Sequence, residues 1–393
     1  MASRKMEHMS PMRSVAFGAG DSEHIVGGES VLFRHQDKLV NRTLYAASVS
    51  PSTFDERWSS IESVDYERIG ERMYVEALNL VYEGDAAAYA ALVKKALGTG
   101  RALVLQCADA DAAREALAAC KGARPLLNGA NASNLDAFST LVAKYKVPLG
   151  VSGANLSELY DTVRALEERG CHDLVLDVGA ASAKDAFANA VRIRRGALVD
   201  GVASLGYPSI VNVGALAPGD SAMQNALASL FTMRYGSIVV LESISYAEAI
   251  PLYGLRQSMF TDPQRPMRVE PGVYSLNGAD MNAVCCTTVD FALTYYTVSG
   301  ELERSGVPVN MVITDTGGYS VMTAWAAGKL SAQSIADYFN ENGLADSMQN
   351  KTLILPGKVA MLQGELEQLM PDWDIVVGPD EATDLVRFMK SYQ

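Results

Sequence analysis

Short apolar runs alternate with longer amphipathic segments along the chain from about residue 41. The runs are rich in Val, Ile and Leu, and several end in Gly, Asn, Asp or Ser, which is typical of buried strands followed by turns. The segments between them place apolar residues three and four positions apart, as a helix with one buried face requires. The first predicted strands are Thr43–Ala47, Met73–Leu80, Ala102–Cys107, Pro125–Asn128, Val147–Val151, Asp173–Asp177, Ile210–Val213 and Ile238–Leu241.

These strand–helix units predict a closed (β/α)8 TIM barrel. Strict alternation of strand and helix favours parallel pairing with right-handed crossovers. Eight units are the number that closes such a barrel. An open doubly wound sheet is the alternative, because it is built from the same units.

A proline-punctuated stretch ends the predicted barrel. Asp262–Pro266 and Glu270–Gly272 have no helical period, and we interpret Asp262–Gly272 and Gly278–Asn282 as hinges. The alternation then restarts, with strands predicted at Val284–Thr287, Val309–Ile313, Thr352–Leu355 and Asp374–Val377. The chain is therefore predicted to be an α/β protein with an N-terminal extension over 1–40, a TIM barrel domain over 41–275 and a small Rossmann-like domain over 280–393.

Composition and charge exclude several classes of function. A net charge of −13 disfavours binding to nucleic acid or to anionic membrane surfaces. No apolar run reaches the roughly 18 residues that span a membrane, and the polar N-terminus lacks the apolar centre of a signal peptide. The five cysteines contain no C-x-x-C pair, so zinc and iron–sulfur spacings are missing. We expect a cytoplasmic protein with buried, unpaired cysteines.

The best candidate for chemistry lies where a predicted strand of the second domain ends. Ligands of open parallel sheets sit at the carboxyl ends of the strands. The segment Thr314–Ser320 reads TDTGGYS and directly precedes a helix. Paired glycines allow close approach of a ligand, and the start of the helix offers free N–H donors. The segment lacks G-x-G-x-x-G, and a plain tight turn with a Ser cap is the structural alternative.

The wording of this segment resembles a known family. TDTGGYSVMTAWAAGK, over residues 314–329, is similar to the corrinoid-binding domain of the large (gamma) subunit of the corrinoid/iron–sulfur protein. That family carries methyl groups in the acetyl-CoA decarbonylase/synthase pathway. The likeness extends to further segments, namely Val26–His35, Thr287–Val307, Leu355–Ala360, Gly364–Glu367 and Val377–Pro379.

The resemblance implies a cobalamin (corrinoid) cofactor and no catalytic acid or base. Its cobalt would cycle between Co(I) and methyl-Co(III), taking the methyl group from a methyltetrahydrofolate or pterin methyltransferase and giving it to acetyl-CoA synthase. The implied partners also include a small barrel subunit, which would form a heterodimer and cover the upper face of the cofactor, and a reductive activator. The cofactor-binding residues implied by the resemblance are Thr287, Thr294, Thr316, Gly317, Gly318, Tyr319, Ser320, Thr323, Pro356, Gly357 and Gly378.

Two features qualify the resemblance. Family members begin with a module of four clustered cysteines, whereas this chain has no cysteine before Cys107, so we expect no iron–sulfur cluster in this chain. Residues 282–393 contain no histidine, so we expect a corrinoid bound without a histidine from that domain. The segment from Asp21 to Gly27 only superficially resembles D-x-H-x-x-G, and His24 precedes the barrel.

Two other functions stay open. Polar residues at predicted barrel strand ends make a pterin-dependent methyltransferase the first alternative, because barrel enzymes place their active groups there. The same residues also suit ordinary turns, in which case the barrel docks partners. A scaffold that keeps the fold without cofactor is the second alternative. The barrel residues concerned are Asn128, Asn131, Asp177, Asn212 and Glu242.

Overall fold

The computed structural model describes residues 12–28, 41–179, 182–260 and 267–392. They form two compact units. The first contains the described residues up to Phe260 except Arg68–Glu71, and the second contains Arg68–Glu71 and the described residues from 267 onward. The predicted hinge residues 262–266 and the part of the Val26–His35 likeness after residue 28 lie outside the described residues.

The first unit contains a closed barrel of eight parallel strands, which confirms the predicted fold class. The barrel strands are β3 (Leu44–Val49), β6 (Ala77–Val81), β7 (Ala102–Gln106), β8 (Leu126–Ala130), β9 (Leu149–Val151), β10 (Leu174–Asp177), β11 (Ser209–Asn212) and β12 (Ile238–Leu241). Around the barrel their order is β10-β11-β12-β3-β6-β7-β8-β9. Two hairpin strand pairs accompany them, β1 (Ser14–Phe17) with β2 (His24–Gly27) and β4 (Asp65–Arg68) with β5 (Glu71–Tyr74).

Helices follow the strands and cover the barrel. Many begin at a side-chain cap, as at Asn155, whose Oδ1 accepts hydrogen bonds from the amides of Ser157 and Glu158. The helices are α1 (Phe54–Glu62), α2 (Ala86–Leu97), α3 (Ala110–Ala119), α4 (Leu135–Tyr145), α5 (Leu156–Glu168), α6 (Ala183–Leu198), α7 (Val213–Leu216), α8 (Ser221–Met233) and α9 (Tyr246–Phe260).

The predicted strand Met73–Leu80 is wrong, because two strands occupy this stretch. β5 ends at Tyr74, and the barrel strand β6 begins at Ala77. Between them, the Glu76 carboxylate forms an ion pair of 2.5 Å with Arg256, and both side chains are buried. A buried charge needs such a partner, and loss of one member of a buried pair typically costs about 3–5 kcal/mol. Glu76 directly precedes β6, so this buried ion pair lies in the break between the hairpin and the barrel strand.

The lower interior of the barrel is apolar and is closed by the N-terminal hairpin. The inward side chains of the amino ends of the strands form one buried cluster with Val15, Phe17 and Val26 of β1 and β2. Phe17 and Val26 are fully buried. The hairpin therefore packs on the barrel core instead of extending from it.

The second unit is built on a five-stranded sheet. Its strands are β13 (Gly272–Leu276), β14 (Val284–Val289), β15 (Val309–Thr314), β16 (Thr352–Leu355) and β17 (Asp374–Val377). They lie in the order β13-β15-β14-β16-β17, in which four strands are parallel and β13 pairs antiparallel with β15 at the edge. Residues 272–275 were predicted to end the barrel domain over 41–275. They pair instead with residues 310–313 of this sheet.

Helices cover both faces of this sheet. Two buried apolar clusters, one on each face, hold the layers together. The predicted helix Val359–Met370 begins instead with a 3₁₀ turn over Gly357–Leu362. The α-helices are α10 (Ala292–Ser305), α11 (Val321–Ala326), α12 (Ala332–Glu341), α13 (Leu344–Ser347), α14 (Gln363–Leu369) and α15 (Leu385–Met389). None of the helices in the described parts of either unit is long and apolar enough to cross a membrane.

Candidate functional site

A cleft of about 330 Å³ opens in the second unit where β14, β16 and β17 end. One wall is the start of α10, and another is the start of α11. The opposite rim is formed by the turns after β16 and β17. This is the edge of a parallel sheet at which ligands are expected to bind.

The walls of the cleft combine apolar side chains with hydroxyl groups. Leu293, Met322 and Ile354 supply apolar surface, and hydroxyl groups come from threonines of β14 and α10 and from Ser320. The charged groups at the rim include Lys358 Nζ, which lies 3.0 Å from a carboxylate oxygen of Glu381. Because this cation is paired, the cleft suits a ligand that is largely neutral and has both apolar and hydrogen-bonding surface.

The predicted cofactor-binding residues fall into two groups. Five line the cleft, and these are Thr287, Thr294, Ser320, Pro356 and Gly378. The remaining six lie beside the cleft in sequence but are not part of its lining, and these are Thr316, Gly317, Gly318, Tyr319, Thr323 and Gly357.

Three backbone amides of the TDTGGYS segment, those of Thr316, Gly317 and Gly318, donate to carboxylates of the protein itself. The amides of Thr316 and Gly318 donate to Asp290 Oδ1 over 3.2 and 2.9 Å. The Thr316 hydroxyl donates to the same oxygen over 2.5 Å, and the Gly317 amide donates to Asp315 Oδ1 over 3.0 Å. Gly317 and Gly318 both have positive φ, which turns the chain around the buried carboxylate. The loop thus binds an internal carboxylate, and these three amides are not available to an external anion.

Asp290 is an organising residue that sequence reasoning missed. Its side chain is fully buried directly after β14. Its second oxygen, Oδ2, has no hydrogen-bond partner among the described residues and lies 3.7 Å from Arg268 Nη1. The backbone of Asp290 also accepts a hydrogen bond from the amide of Val269. Its position at a strand end was a signal, but nothing in its local sequence indicates the loop that it holds.

The two adjacent threonines of β14 differ in hydrogen bonding. The Thr287 hydroxyl donates to the carbonyl oxygen of Val312 over 3.1 Å, within the sheet. The Thr288 hydroxyl is buried and has no hydrogen-bond partner in the described part of the chain, although Thr288 lines the cleft. Sequence reasoning selected Thr287 and passed over Thr288.

Glycines at the rim allow two turns to approach closely. A Cβ atom on Gly357 would lie 2.6 Å from Asp380 Oδ1 and 2.7 Å from the Asp380 amide nitrogen. A Cβ atom on Gly378 would lie 3.0 Å from the carbonyl oxygen of Leu355. The space at Gly357 is too small for a side chain and the space at Gly378 is tight, so these glycines let the turns after β16 and β17 approach each other.

The barrel has a second polar site at the carboxyl ends of its strands. Asn128 Nδ2 donates to Gln106 Oε1 over 2.7 Å and lies 3.4 Å from Asp177 Oδ2. Asn79 Nδ2 donates to the hydroxyl of Ser48 over 3.1 Å. We call Ser48, Asn79, Gln106, Asn128 and Asp177 the mouth cluster. Each lies two residues beyond an inward apolar side chain of the lower interior, so the cluster faces into the barrel.

Two side chains of the mouth cluster, Asn79 and Asp177, are in unusual environments. Asn79 Oδ1 is buried and has no hydrogen-bond partner among the described residues. Burial raises the pKa of the Asp177 carboxyl, while hydrogen bonds from the Gly179 amide and Asn128 partly offset this shift. Gly150 gives the cluster room, because a Cβ atom there would lie 2.0 Å from Asn128 Oδ1.

The other barrel residues singled out from the sequence also have partners within the protein. Asn131 Oδ1 accepts hydrogen bonds within its own turn, and Asn212 Oδ1 caps α7 by accepting from the Ala215 amide. These two residues have the turn and capping contacts that the structural alternative expected. Glu242 instead forms an ion pair of 2.9 Å with Arg57, a residue distant in the chain, and accepts from the Gly219 amide. In the described ranges, no group of three or more His, Cys, Asp or Glu side chains is arranged to hold a metal ion.

Two relatives are similar to the chain over nearly its whole length, and a solved structure aligns with part of it. The large subunit of the corrinoid/iron–sulfur protein from Moorella thermoacetica is 35% identical over 387 residues, covering 97% of this chain and 86% of the relative. The gamma 1 subunit of the acetyl-CoA decarbonylase/synthase complex from Methanosarcina thermophila is 32% identical over 390 residues, covering 94% and 82%. Dihydropteroate synthase from Thermus thermophilus aligns with a TM-score of 0.45 at 15% identity, covering 63% of this chain and all of that chain.

A family model also matches almost all of the described structure. It spans residues 14–389, from the first strand of the N-terminal hairpin to the last residue of α15, and thus includes both the mouth cluster and the cleft. The model is that of the CO dehydrogenase/acetyl-CoA synthase delta subunit. With this match and the 35% identical relative, the chain belongs to the CO dehydrogenase/acetyl-CoA synthase delta subunit family.

Proposed function

We propose that this protein is a corrinoid methyl carrier whose cofactor is bound at the cleft of the second unit. The observation that carries the proposal is the cleft itself, at the carboxyl ends of β14, β16 and β17, in a chain whose relative is named a corrinoid/iron–sulfur protein. When bound, the corrinoid supplies a cobalt centre that takes up and releases a methyl group. The protein is then a methyltransferase component and not a catalyst acting alone.

The residues of the cleft fit this group. A corrinoid presents apolar ring edges and neutral amide side chains, and the cleft offers apolar walls beside hydroxyl groups. The buried Thr288 hydroxyl lacks a partner among the described residues, and Gly378 places no side chain at the rim of the cleft. Since a corrinoid is much larger than about 330 Å³, the cleft takes one part of it and leaves the rest against the surrounding loops.

The role of this chain's residues in transfer is to bind, orient and shield. Asp290 fixes the TDTGGYS loop by accepting from Thr316 and Gly318, so the loop next to the cleft is preorganised. Tyr319 of this loop and Met322 and Trp325 of the following helix α11 are exposed and offer apolar surface to the macrocycle or to a partner.

The proposal includes the partners implied by the family. The methyl group would come from a methyltetrahydrofolate or pterin methyltransferase and would go to acetyl-CoA synthase. A small barrel subunit would cover the open face of the cofactor in a heterodimer, and a reductive activator would restore the reactive cobalt state. The relatives named as subunits of the acetyl-CoA decarbonylase/synthase complex support an assembly of this kind.

Reconstitution with cobalamin tests the proposal. The purified chain is incubated with cobalamin, desalted, and examined by absorbance spectroscopy and cobalt analysis. We expect about one cobalt per chain and a corrinoid spectrum, with retention increased by the co-expressed small subunit. A chain that retains no cobalamin, alone or with that subunit, would overturn the proposal.

The mouth cluster favours a second function, binding of a methylpterin by the barrel. The Asp177 carboxylate can accept hydrogen bonds from the amino group and ring N–H of a pterin, and Asn128 and Asn79 supply neighbouring amide groups. Such hydrogen bonds would also favour the ionised form of the buried Asp177 carboxyl.

Calorimetry with methyltetrahydrofolate tests this second function. We expect binding by the parent chain and its loss in Asp177→Asn. Asp173→Asn is the matched control, because Asp173 is exposed and pairs with Arg124 outside the mouth cluster. Absence of binding by the parent chain, or unchanged binding by Asp177→Asn, would exclude the mouth cluster as the pterin site.

A further inference from the structure

We infer that the Thr288 hydroxyl is the group in the cleft that reads a neutral hydrogen-bonding group of the ligand. Thr288 is the fifth residue of β14 and has 2% of its surface exposed. Its hydroxyl oxygen is buried and has no hydrogen-bond partner among the described residues, and Thr288 is one of the residues that line the cleft. This inference rests on the proposed function and assigns one contact within it.

A buried hydroxyl without a partner has an energetic cost. Leaving such a group unsatisfied typically costs about 1–3 kcal/mol, so buried hydroxyls nearly always find a partner in the sheet, in a side chain or in a ligand. Neighbouring hydroxyls in the same sheet follow this rule. Thr287 donates to the Val312 carbonyl oxygen, and Thr314 donates to the Thr288 carbonyl oxygen over 3.4 Å.

The register of the sheet explains why Thr288 is the exception. Thr288 is paired with Ile313 on the parallel strand β15, and its backbone takes part in the ladder. The side chains of β14 alternate between the two faces, so Thr288 shares a face with Cys286. Cys286 also lines the cleft, and it belongs to the apolar cluster on that face together with Leu302 and Leu385. The surroundings of the Thr288 side chain are thus largely apolar, and the cleft is where a partner can reach it.

The chemistry of the surroundings defines the partner. Thr288 carries no charge, and the only cation that the described residues place in the lining is Lys358, which is paired with Glu381. A hydroxyl in such a place matches a carboxamide or a hydroxyl, whereas a charged group would enter this largely apolar cleft without a free opposite charge from Lys358. On a corrinoid these groups occur both on the ring, as amide side chains, and on the nucleotide tail, as the ribose hydroxyl.

Two variants isolate the hydroxyl group. Thr288→Val replaces it with a methyl group of similar volume, and Thr288→Ser keeps the hydroxyl while removing a methyl group. Thr162→Val is the control, because Thr162 is an equally buried threonine of α5 whose hydroxyl donates within its own helix, and it is outside the lining of the cleft. Thermal unfolding of each variant without cobalamin reports any general loss of stability.

Equilibrium binding of cobalamin to the full chain gives the decisive measurement. We expect Thr288→Val to bind cobalamin roughly threefold to tenfold more weakly than the parent chain, as loss of one neutral hydrogen bond predicts. Thr288→Ser should retain more affinity than Thr288→Val, and Thr162→Val should match the parent chain. Unchanged binding by Thr288→Val, or equal weakening by Thr288→Val and Thr162→Val, would overturn the inference.

Cobinamide, which lacks the nucleotide tail, distinguishes the two sources of the contact. If Thr288→Val weakens both ligands equally, the partner is an amide of the ring. If the effect is confined to cobalamin, the partner lies on the tail. Failure of the parent chain to bind either corrinoid would instead reject the proposed function, so the two failures give different results.

Discussion

The amide of Gly318 donates a hydrogen bond over 2.9 Å to Asp290 Oδ1, linking a loop to a carboxylate 28 positions earlier in the chain. The same oxygen accepts from the amide and the hydroxyl of Thr316. One buried carboxylate therefore fixes the two residues that flank Gly317, namely Thr316 and Gly318. The shape of this loop depends on a residue of the preceding strand–helix unit as well as on its own glycines.

Replacement of Asp290 should destabilise the second unit. Asp290→Ala leaves the buried amides of Thr316 and Gly318 without an acceptor and the Thr316 hydroxyl with only the Tyr319 carbonyl, and we expect a loss of about 2–4 kcal/mol in the free energy of unfolding. Asp290→Asn keeps an amide oxygen as acceptor and should lose less. Urea denaturation measures both variants. Asp315→Asn is the control, because Asp315 is exposed, accepts from the Gly317 amide and forms an exposed ion pair with Arg268, so a loss in this variant equal to that of Asp290→Ala would contradict the assignment.

A methyl group at residue 357 should separate the two turns that form the rim of the cleft. Gly357→Ala places Cβ 2.6 Å from Asp380 Oδ1, and we expect a loss of about 1–3 kcal/mol in stability, as overpacking typically costs, together with weaker retention of cobalamin. Gly364→Ala is the matched control, since a Cβ atom there has nothing within 4 Å and lies in α14. Gly364→Ala should be as stable as the parent chain or more so. Chemical denaturation measures the stability of both variants, and desalting after cobalamin loading measures how much cofactor each retains. Equal results for Gly357→Ala and Gly364→Ala would contradict the prediction.

Asp177 should make the barrel less stable as the pH rises. Burial raises the pKa of this carboxyl in the folded state above 3.8, its ordinary value. Between these two pKa values the unfolded chain has already released the proton that the folded chain keeps, so the free energy of unfolding falls with increasing pH. Asp177→Asn should therefore be more stable than the parent chain at neutral pH, and this difference should disappear below the ordinary pKa.

Chemical denaturation of Asp177→Asn and the parent chain across this pH range is the corresponding measurement. Asp173→Asn is again the control and should not reproduce the pH-dependent difference. If Asp177→Asn were less stable than the parent chain at neutral pH, then hydrogen bonds to the carboxylate would outweigh its burial.

The five cysteine thiols should be inert in the folded chain. All five are free and buried. Burial raises the pKa of Cys107 and Cys285 to about 11 and that of Cys120 and Cys286 to about 12. At pH 8 very little thiolate is present at these positions, and the thiolate is the reactive form.

Titration with Ellman's reagent checks this expectation. We expect no rapid reaction in the native protein and release of five equivalents in denaturant, which serves as the internal control. A thiol that reacts in the native protein as fast as free cysteine would reveal an opening of the barrel or of the sheet. The barrel thiols and those of β14 can be separated by Cys285→Ala and Cys286→Ala variants.

Much of the barrel could be predicted because its strands are short apolar runs with turn residues at their ends. Exceptions occur where burial and strand do not coincide. β13 alternates between half-buried and exposed positions at the edge of its sheet, so it lacks an apolar run. The break before Ala77 was hidden for the opposite reason, because the buried Met73 and Val75 extend the apolar pattern beyond the strand.

Strand ends could be located from the sequence, but the contacts of individual side chains could not. Two adjacent threonines on β14 look equivalent in the sequence, and only the sheet shows that Thr287 has a carbonyl partner while Thr288 has none among the described residues. Likewise, Asn79 and Gln106 stand near the ends of predicted apolar strands. Their place in the mouth cluster follows from which side of the barrel wall each residue faces, and this depends on the register of all eight strands.

The hairpin of β1 and β2 gives the barrel a floor. Val15, Phe17 and Val26 close the amino ends of the strands against the apolar interior, while the mouth cluster lies at the other end. In the described part of the chain, the interior of the barrel is thus closed at the amino ends of its strands and open only at their carboxyl ends. A small molecule bound at Asp177 would arrive and depart through the same opening, so one occupant must leave before the next can enter, and successive occupants should compete with each other at equilibrium.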